Sequence, residues 1–275
     1  MTAPSTIDQQ LNTRARAPHY DAANAAYAAL SDAARNRLDI IGDVAYGPHR
    51  LERLDVLSDA SPAKGAILWF HGGFWRSRDK ADFHFLATGF ARLGMKTVAI
   101  GYPKCPEVKL GRVVEAAINA FDFVAAKADE LGLAGLPLFV GGHSAGAHLA
   151  TMIAIARPEK VAGLISVSGL YELTPVRQSF ANADLHLEEA DEETLSPLRL
   201  PIKDAPPAVF LTGTAETDLF HEQAAAMAAA WSKGGGDGVA ATAETADHYT
   251  ILFTLSGGTH PSLLRVLSLS RGPAS

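Results

Sequence analysis

Short, dense apolar runs alternate with longer segments of helical periodicity through most of the chain. The runs at 64–73, 95–103 and 161–169 contain few polar residues, as is typical of strands that are covered on both faces. The segments at 79–93 and 110–130 have the apolar spacing of helices. Parallel strands need crossover connections, and right-handed helical crossovers place helices on both faces of one sheet. The alternation therefore predicts an α/β fold with a mostly parallel central sheet.

One segment interrupts this alternation. Residues 174–200 are rich in proline, aspartate and glutamate, and they are too long for an ordinary connection between a strand and a helix. We interpret them as a small cap, inserted in the chain between two elements of the α/β fold. The chain has 275 residues, of which 48% are hydrophobic, so it can bury one large core. We expect a single domain over 1–275, with an N-terminal helical segment over about 1–40.

Composition excludes several classes of function. The net charge is −6 and no basic stripe is present, so the sequence argues against a nucleic-acid partner. The single cysteine, Cys105, permits no internal disulfide and we interpret it as a structural thiol. No HExxH or paired CxxC spacing occurs, so we expect no metal and no cofactor. Without an apolar leader or a membrane-length apolar run, a cytoplasmic location and no membrane partner are expected.

A serine between two glycines lies where a predicted strand meets a predicted helix. Residues 139–149 read FVGGHSAGAHL, with Ser144 at the turn. Gly142 and Gly146 remove side chains that would collide in a sharp strand-to-helix bend. This context is typical of the nucleophile elbow of the α/β-hydrolase fold, whereas the motif by itself also occurs in ordinary glycine-rich turns.

A serine nucleophile needs a base and an acid, which follow it in chain order in this fold. His248, after the last strand-like stretch, is favoured as the base over His260, which lies further on in a turn. The acid is expected just after the strand at 206–213, where Glu216 and Asp218 are both available. Either carboxylate would orient the imidazole and stabilise its charged form.

The anion that forms on an attacked carbonyl also needs hydrogen-bond donors. The run WFHGGFW at 69–75 ends a buried strand with two glycines, which allow the backbone to approach a ligand closely. Backbone N–H groups of this run, together with that of Ala145 after the serine, would form an oxyanion hole.

With these motifs identified, the chain resembles the kynurenine formamidase (arylformamidase) branch of the α/β hydrolases, which lies near the hormone-sensitive-lipase-like esterases. The resemblance spans nearly the whole chain. The matching motifs are HGGFW at 71–75, YPKCPEV at 102–108, GHSAGAH at 142–148, SGLYELTPV at 168–176, TAETDLFHEQ at 214–223 and DHY at 247–249.

The resemblance implies roles for individual residues. It implies Ser144 as nucleophile, His248 as base, and the N–H groups of Gly73, Phe74 and Ala145 as oxyanion donors.

The same resemblance leaves two positions open for the acid. The formamidase pattern places the acid four positions before Phe220, which is Glu216, although family members often carry aspartate there. The esterases use the aspartate of a similar stretch, which is Asp218 here. We favour Glu216, with Asp218 as the alternative.

Several aromatic and basic residues lie in or beside these motifs. Trp75, Tyr171 and Tyr249, with Phe74, would stack on an aromatic leaving group or belong to the core. Any of three arginines would bind a substrate carboxylate or remain a solvated surface charge: Arg76, Arg78 and Arg177.

The expected activity is serine-dependent cleavage of an amide or ester through an acyl-enzyme. The resemblance implies an arylformamidase acting on N-formylkynurenine or a related N-formyl aryl amine, and a homodimer is plausible for such a protein. A small-chain carboxylesterase or a catabolic amidase would use the same residues. A non-catalytic ligand-binding relative would be expected to lose Ser144 or His248, and this sequence retains both.

Overall fold

Eight strands form one sheet in the computed structural model, which describes residues 6–257 and 260–269. Their spatial order is β1-β2-β4-β3-β5-β6-β7-β8, and only β2 runs antiparallel to its neighbours. This arrangement confirms the predicted mostly parallel sheet. The strands are β1 Asp39–Ala45, β2 Arg53–Ser58, β3 Gly65–Phe70, β4 Met95–Ile100, β5 Leu138–His143, β6 Gly163–Val167, β7 Ala208–Gly213 and β8 Gly238–Ala243.

Helices cover both faces of the sheet. The helices are α1 Ile7–Leu11, α2 Thr13–Arg16, α3 Tyr20–Arg37, α4 Leu86–Arg92, α5 Leu110–Ala126, α6 Ala145–Ala156, α7 Thr174–Arg177, α8 Asn182–Leu185, α9 Glu189–Leu195, α10 Asp218–Lys233, α11 Ile251–Gly257 and α12 Pro261–Leu269. Helices α5, α6 and α10 pack on one face, and α3, α4, α11 and α12 pack on the other. Among the residues described, no helix has both the length and the apolar character needed to cross a membrane.

The side chains of the central strands belong to two hydrophobic cores, one on each face of the sheet, because successive side chains of a strand point to opposite faces. In β3, Leu68 and Phe70 join the core beneath α5, α6 and α10, whereas Ile67 and Trp69 join the core beneath α4, α11 and α12. Every residue of β3 is buried. The continuous apolar run in the sequence is thus the signature of a strand covered on both sides.

Strand β1 was not anticipated from the sequence. It is an edge strand, exposed along most of its length, and its register with β2 shifts between Ile41 and Val44. Asp43, in this irregular part, has a positive φ of 58°. Without a buried face, the strand lacks the polar–apolar alternation by which edge strands are usually recognised. The helix expected over 79–93 is also split, into a 3-10 turn at Lys80–Phe83 followed by α4.

The segment expected to form a cap lies between β6 and β7. It contains α7, α8 and α9, followed by a 3-10 turn at Pro197–Arg199. An ion pair between Asp184 and Arg76 joins this segment to the loop after β3. Half of the acidic run at 184–193 is exposed, but Glu192 is buried and pairs with Arg177 and Arg199.

The N-terminal helices pack against loops at the carboxyl end of the sheet. Asp8 accepts a hydrogen bond from the backbone N–H of Phe180, and Thr217 Oγ1 donates to the carbonyl of Gln10. The hydroxyl groups of Thr13 and Tyr249 lie 2.9 Å apart. These contacts place α1 and α2 beside the loop that carries His248.

Candidate active site

Ser144 lies at the bend between β5 and α6 with backbone angles φ 56° and ψ −120°. A non-glycine residue reaches this region only at a cost, and the surrounding structure must hold it there. The N–H of Ser144 donates to the carbonyl of Val167 at 2.8 Å, which anchors the bend to β6. The strained bend therefore places the serine at the carboxyl edge of the sheet, ahead of the first turn of α6.

Two glycines make this bend possible, for different reasons. A Cβ on Gly142 would lie 2.2 Å from the carbonyl oxygen of Gly146, so it would collide across the bend as the sequence predicts. A Cβ on Gly146 would instead lie 2.0 Å from the carbonyl oxygen of Phe70, at the end of β3. The second glycine thus allows α6 to approach the neighbouring strand rather than relieving the bend itself.

The loop after β3 fixes the direction of its backbone amides. The carbonyl of Gly73 accepts hydrogen bonds from the N–H groups of Arg76 and Ser77, at 3.0 and 3.1 Å. The carbonyl of Gly72 accepts one at 2.7 Å from the ring nitrogen Nδ1 of His71. In a planar trans peptide the next N–H points opposite to the carbonyl. The N–H groups of Gly73 and Phe74 therefore point away from these partners, and neither donates to an acceptor among the described residues.

Gly73 is required by this loop geometry. Its φ is 117°, and a Cβ there would lie 2.5 Å from the carbonyl oxygen of Ser77. Ala145 offers a further amide because it is the first residue of α6, where a helical N–H has no acceptor within its own helix. Partial positive charge at a helix N-terminus also favours an anion at this point.

His248 contacts the acid that the sequence analysis favoured. Its Nδ1 lies 2.7 Å from Oε2 of Glu216, and both side chains are buried. The other carboxylate oxygen, Oε1, accepts from Ser168 Oγ at 2.6 Å and from the N–H of Gly213 at 2.8 Å. The carboxylate is therefore held in one orientation, with a single oxygen directed at the imidazole.

Asp218, the alternative acid, is exposed and begins α10. No contact between its side chain and His248 is found in the described part of the structure. The ring of His248 packs instead against Phe220 and His143, with centroid distances of 4.8 and 4.6 Å.

His143 was not singled out from the sequence, although it directly precedes the serine. Its Nε2 lies 2.7 Å from the backbone carbonyl of His248, so this nitrogen must be the protonated donor. Burial, then the neighbouring His248, lowers the pKa of His143 well below its usual value and keeps the ring neutral. The residue ties the end of β5 to the loop that carries His248.

Ser144 and His248 line the same cavity, whose volume is about 360 Å³. This volume lies within the range of small-molecule pockets, which is roughly 300–1,000 Å³. Six aromatic side chains contribute to the walls: Tyr20, Tyr27, Phe74, Phe83, Phe180 and Tyr249. The carboxyl end of the sheet, the N-terminal helices and the cap segment all contribute to this cavity.

Of the aromatic residues expected to contact substrate, Tyr249 lines the cavity, but Trp75 and Tyr171 do not. This corrects the expectation for those two side chains. Trp75 has a φ of 54° and is fully buried, with its ring packed edge-on against His148. Tyr171 is also fully buried, and its hydroxyl lies 2.7 Å from Ser166 Oγ. Both belong to the core, which was the alternative.

Three other residues from the sequence analysis lie outside the cavity. His260 contacts the carbonyl of Thr242 at 3.3 Å. Arg177 pairs with Glu192 inside the cap segment. Cys105 is buried, and burial raises the pKa of its thiol to about 11, so it is a protonated packing residue at neutral pH.

The fold, the strained serine and the chain order of these residues define an α/β hydrolase. The model of a family described as "alpha/beta hydrolase fold" matches residues 67–252, and this chain belongs to that family.

Within the family, the chain is similar to kynurenine formamidases. It is 31% identical to the kynurenine formamidase of Danio rerio over 177 residues, and 28% identical to that of Salmo salar over 178 residues. Each alignment covers 62% of this chain and 59% of the relative's length, so the matched part spans less than two thirds of those relatives.

A solved structure described as a putative thioesterase from Silicibacter sp. has a similar fold. The TM-score is 0.85 at 23% sequence identity, and the match covers 96% of this chain and 100% of the other. At this level of identity the likeness shows the fold alone.

Proposed function

We propose that this protein is a serine hydrolase that cleaves an N-formyl aryl amine, such as N-formylkynurenine, through a formyl-enzyme. The observation that carries the proposal is the contact of His248 Nδ1 with Glu216, with Ser144 and His248 lining one cavity. The similarity to kynurenine formamidases supports the choice of substrate.

The proposed mechanism follows from the direction of each group. Because Nδ1 of His248 contacts the carboxylate, the neutral ring keeps its lone pair on Nε2. That nitrogen accepts the proton of Ser144 as the serine oxygen attacks the formyl carbon. Glu216 stabilises the resulting imidazolium without taking up the proton.

The negative charge that develops on the carbonyl oxygen is stabilised by backbone amides. The N–H groups of Gly73 and Phe74 point away from the groups that bind the loop carbonyls. The N–H of Ala145 belongs to the first residue of α6. His248 then returns its proton to the leaving amine, and a formyl ester remains on Ser144. A water molecule, deprotonated by the same ring, hydrolyses that ester to formate.

The cavity walls support an aromatic leaving group. Tyr20 and Tyr249 meet edge to face at 4.7 Å, and Phe74 and Phe180 do so at 5.8 Å. Such surfaces bury the two faces of a planar ring and add specific ring–ring attraction. A formyl group, which carries only a hydrogen beyond its carbonyl, needs very little space on the acyl side.

A small-chain carboxylesterase is the alternative, because the same groups would cleave an activated ester. Steady-state kinetics on N-formylkynurenine and p-nitrophenyl acetate separate the two. An arylformamidase has a much higher kcat/KM on the formamide. Negligible turnover of N-formylkynurenine, with rapid turnover of the ester, would assign the protein to the esterases.

Ser144→Ala is the control for the nucleophile. It should abolish hydrolysis of both compounds and covalent labelling by an organophosphate, while circular dichroism remains unchanged. Labelling that persists in this variant would identify a different nucleophile. If the wild-type protein hydrolyses neither compound, a non-catalytic ligand-binding role would be favoured.

A further inference from the structure

The walls of the active-site cavity differ in charge from the protein as a whole. The chain carries a net charge of −6, yet the cavity is lined by three arginines and, among the described residues, by no aspartate or glutamate. The carboxylate of Glu216 lies behind His248 rather than at the cavity surface. A cavity of this kind attracts anions, because its fixed charges are all of one sign.

Two of the three arginines already have acidic partners. Arg76 pairs with Asp184 of the cap segment, and the exposed Arg14 lies 3.8 Å from Asp21. Arg78 forms no ion pair with any carboxylate that the structure describes. Among the described residues, Arg78 is therefore the cavity arginine without an ion-pair partner.

Arg78 is also held in a fixed position. Its Nη2 donates to Tyr20 Oη at 3.2 Å and to the side-chain oxygen of Asn24, both in α3. Its backbone carbonyl accepts from Lys104 Nζ, and its φ of 73° shows that the loop holds it in a left-handed conformation. The side chain is half-buried. The remaining guanidinium donors, on Nε and Nη1, have no acceptor within the described residues.

Arg78 is thus a half-buried cation with free donors, and it lines the same cavity as Ser144. A guanidinium binds a carboxylate through two parallel hydrogen bonds, which fix the ligand's orientation as well as its charge. We propose that Arg78 binds a carboxylate on the leaving group of the substrate, so that the enzyme selects anionic aromatic substrates over neutral ones. This inference rests on the proposed function, since it places the leaving group in the same cavity.

The test compares matched substrates that differ only in charge. The first pair is 3-formamidobenzoate and 3-formamidobenzamide, and the second is 3-acetoxybenzoate and 3-acetoxybenzamide. For each pair we define selectivity as kcat/KM of the anion divided by kcat/KM of the amide. Dividing the selectivity of the wild-type protein by that of Arg78→Gln cancels the intrinsic reactivity of the compounds.

A charge-assisted contact of this kind corresponds to about a tenfold to hundredfold loss of selectivity in Arg78→Gln. The loss should arise mainly in KM, and Arg78→Lys should retain part of the selectivity because it retains the charge. Arg92→Gln, an exposed arginine on α4 that does not line the cavity, is the control for net charge. It should leave selectivity unchanged.

Equal selectivity in the wild-type protein and Arg78→Gln would overturn the inference. If Arg78→Gln does not fold, competitive inhibition of the wild-type protein decides: benzoate should bind about tenfold more tightly than benzamide, and equal inhibition would overturn the inference. If only the esters are hydrolysed, the formamidase proposal fails, while the ester pair still tests the role of Arg78.

Discussion

The carboxylate of Glu216 lies 2.7 Å from Nδ1 of His248, although the exposed Asp218 is only two positions further along the chain. Thr217 is the N-cap residue of α10, so Glu216 remains in the turn after β7 while Asp218 enters the helix. The turn and the helix thus direct two neighbouring acids to different surroundings.

This difference predicts unequal effects for two matched substitutions. Glu216→Gln should lower kcat by about 10³–10⁴-fold, because the imidazolium that forms on His248 would lose its stabilising charge and its fixed tautomer. Asp218→Asn should change kcat by less than about threefold, since the side chain has no part in the site. Steady-state kinetics on the best substrate measure both. The reverse order of effects would make Asp218 the acid.

Replacing either glycine of the strand-to-helix bend at Ser144 should cause a large loss of stability. Gly142→Ala and Gly146→Ala place a Cβ within 2.2 and 2.0 Å of backbone oxygens, so part of the sheet or α6 must shift. We expect each to cost about 3 kcal/mol of unfolding free energy, measured by urea denaturation.

Gly111→Ala is the matched control for these variants. Gly111 lies in α5, where an added Cβ has nothing within 4 Å, so alanine should stabilise the protein by about 0.5–1 kcal/mol. Normal stability of Gly142→Ala or Gly146→Ala would contradict the close approach seen at the bend.

The buried His148 predicts a loss of stability in mild acid. Its Nε2 donates to the carbonyl of Leu195 at 2.7 Å, and burial lowers its pKa to about 4. The unfolded chain, with a pKa of about 6.5 for histidine, binds the proton first as the pH falls. The stabilisation is therefore complete above about pH 6.5 and declines between pH 6.5 and 4.

His148→Gln keeps a donor but removes this titration. The slope of unfolding free energy against pH should fall by up to about 1.4 kcal/mol per pH unit between pH 6 and 4.5. Denaturant unfolding across this range measures the slope, and His19→Gln, at an exposed position, should leave it unchanged. Parallel curves for the wild-type protein and His148→Gln would contradict the prediction.

A buried carboxylate on β2 predicts a separate effect at lower pH. Burial alone would raise the pKa of Asp55, but hydrogen bonds from His84, Lys80 and the N–H of Asp43 outweigh burial and lower it to about 2. Since this pKa is lower than in the unfolded chain, the contribution is present above about pH 4. It is lost as the pH falls toward 2.

Asp55→Asn should therefore be less stable than the wild-type protein by about 1–2 kcal/mol at pH 7. This difference should shrink between pH 4 and 2, as followed by thermal unfolding, with the exposed Asp39→Asn as control. A difference that stays constant over this range would show that packing, rather than the charge of Asp55, is responsible.

The sequence predicted the sheet because its central strands are buried on both faces and therefore read as apolar runs. It also placed Ser144 at the bend and His248 after the last strand, because chain order is fixed by the fold. It did not separate Glu216 from Asp218 by physical argument. The backbone conformation of residues 216–218, where the turn after β7 passes into α10, determines which acid faces His248. Cytoplasmic location and a homodimer stay predictions.

Two kinds of feature escaped prediction for physical reasons. Trp75 is directed into the core by a left-handed backbone conformation that the sequence does not reveal. The exposed edge strand β1 lacks a buried face, and so it lacks a hydrophobic pattern. Arg78 was one of three arginines that the sequence offered for a substrate carboxylate, and its position in the cavity and its contacts with α3 distinguish it from Arg177.

The bond between Thr13 and Tyr249 joins residues that lie 236 positions apart. During synthesis on the ribosome, α1 and α2 therefore emerge long before the loop against which they pack. Contacts this distant in sequence are slow to form, because the whole intervening chain must first be ordered. The part of the cavity wall that α1 and α2 form is consequently completed only after Tyr249 has been synthesised and the intervening chain has folded.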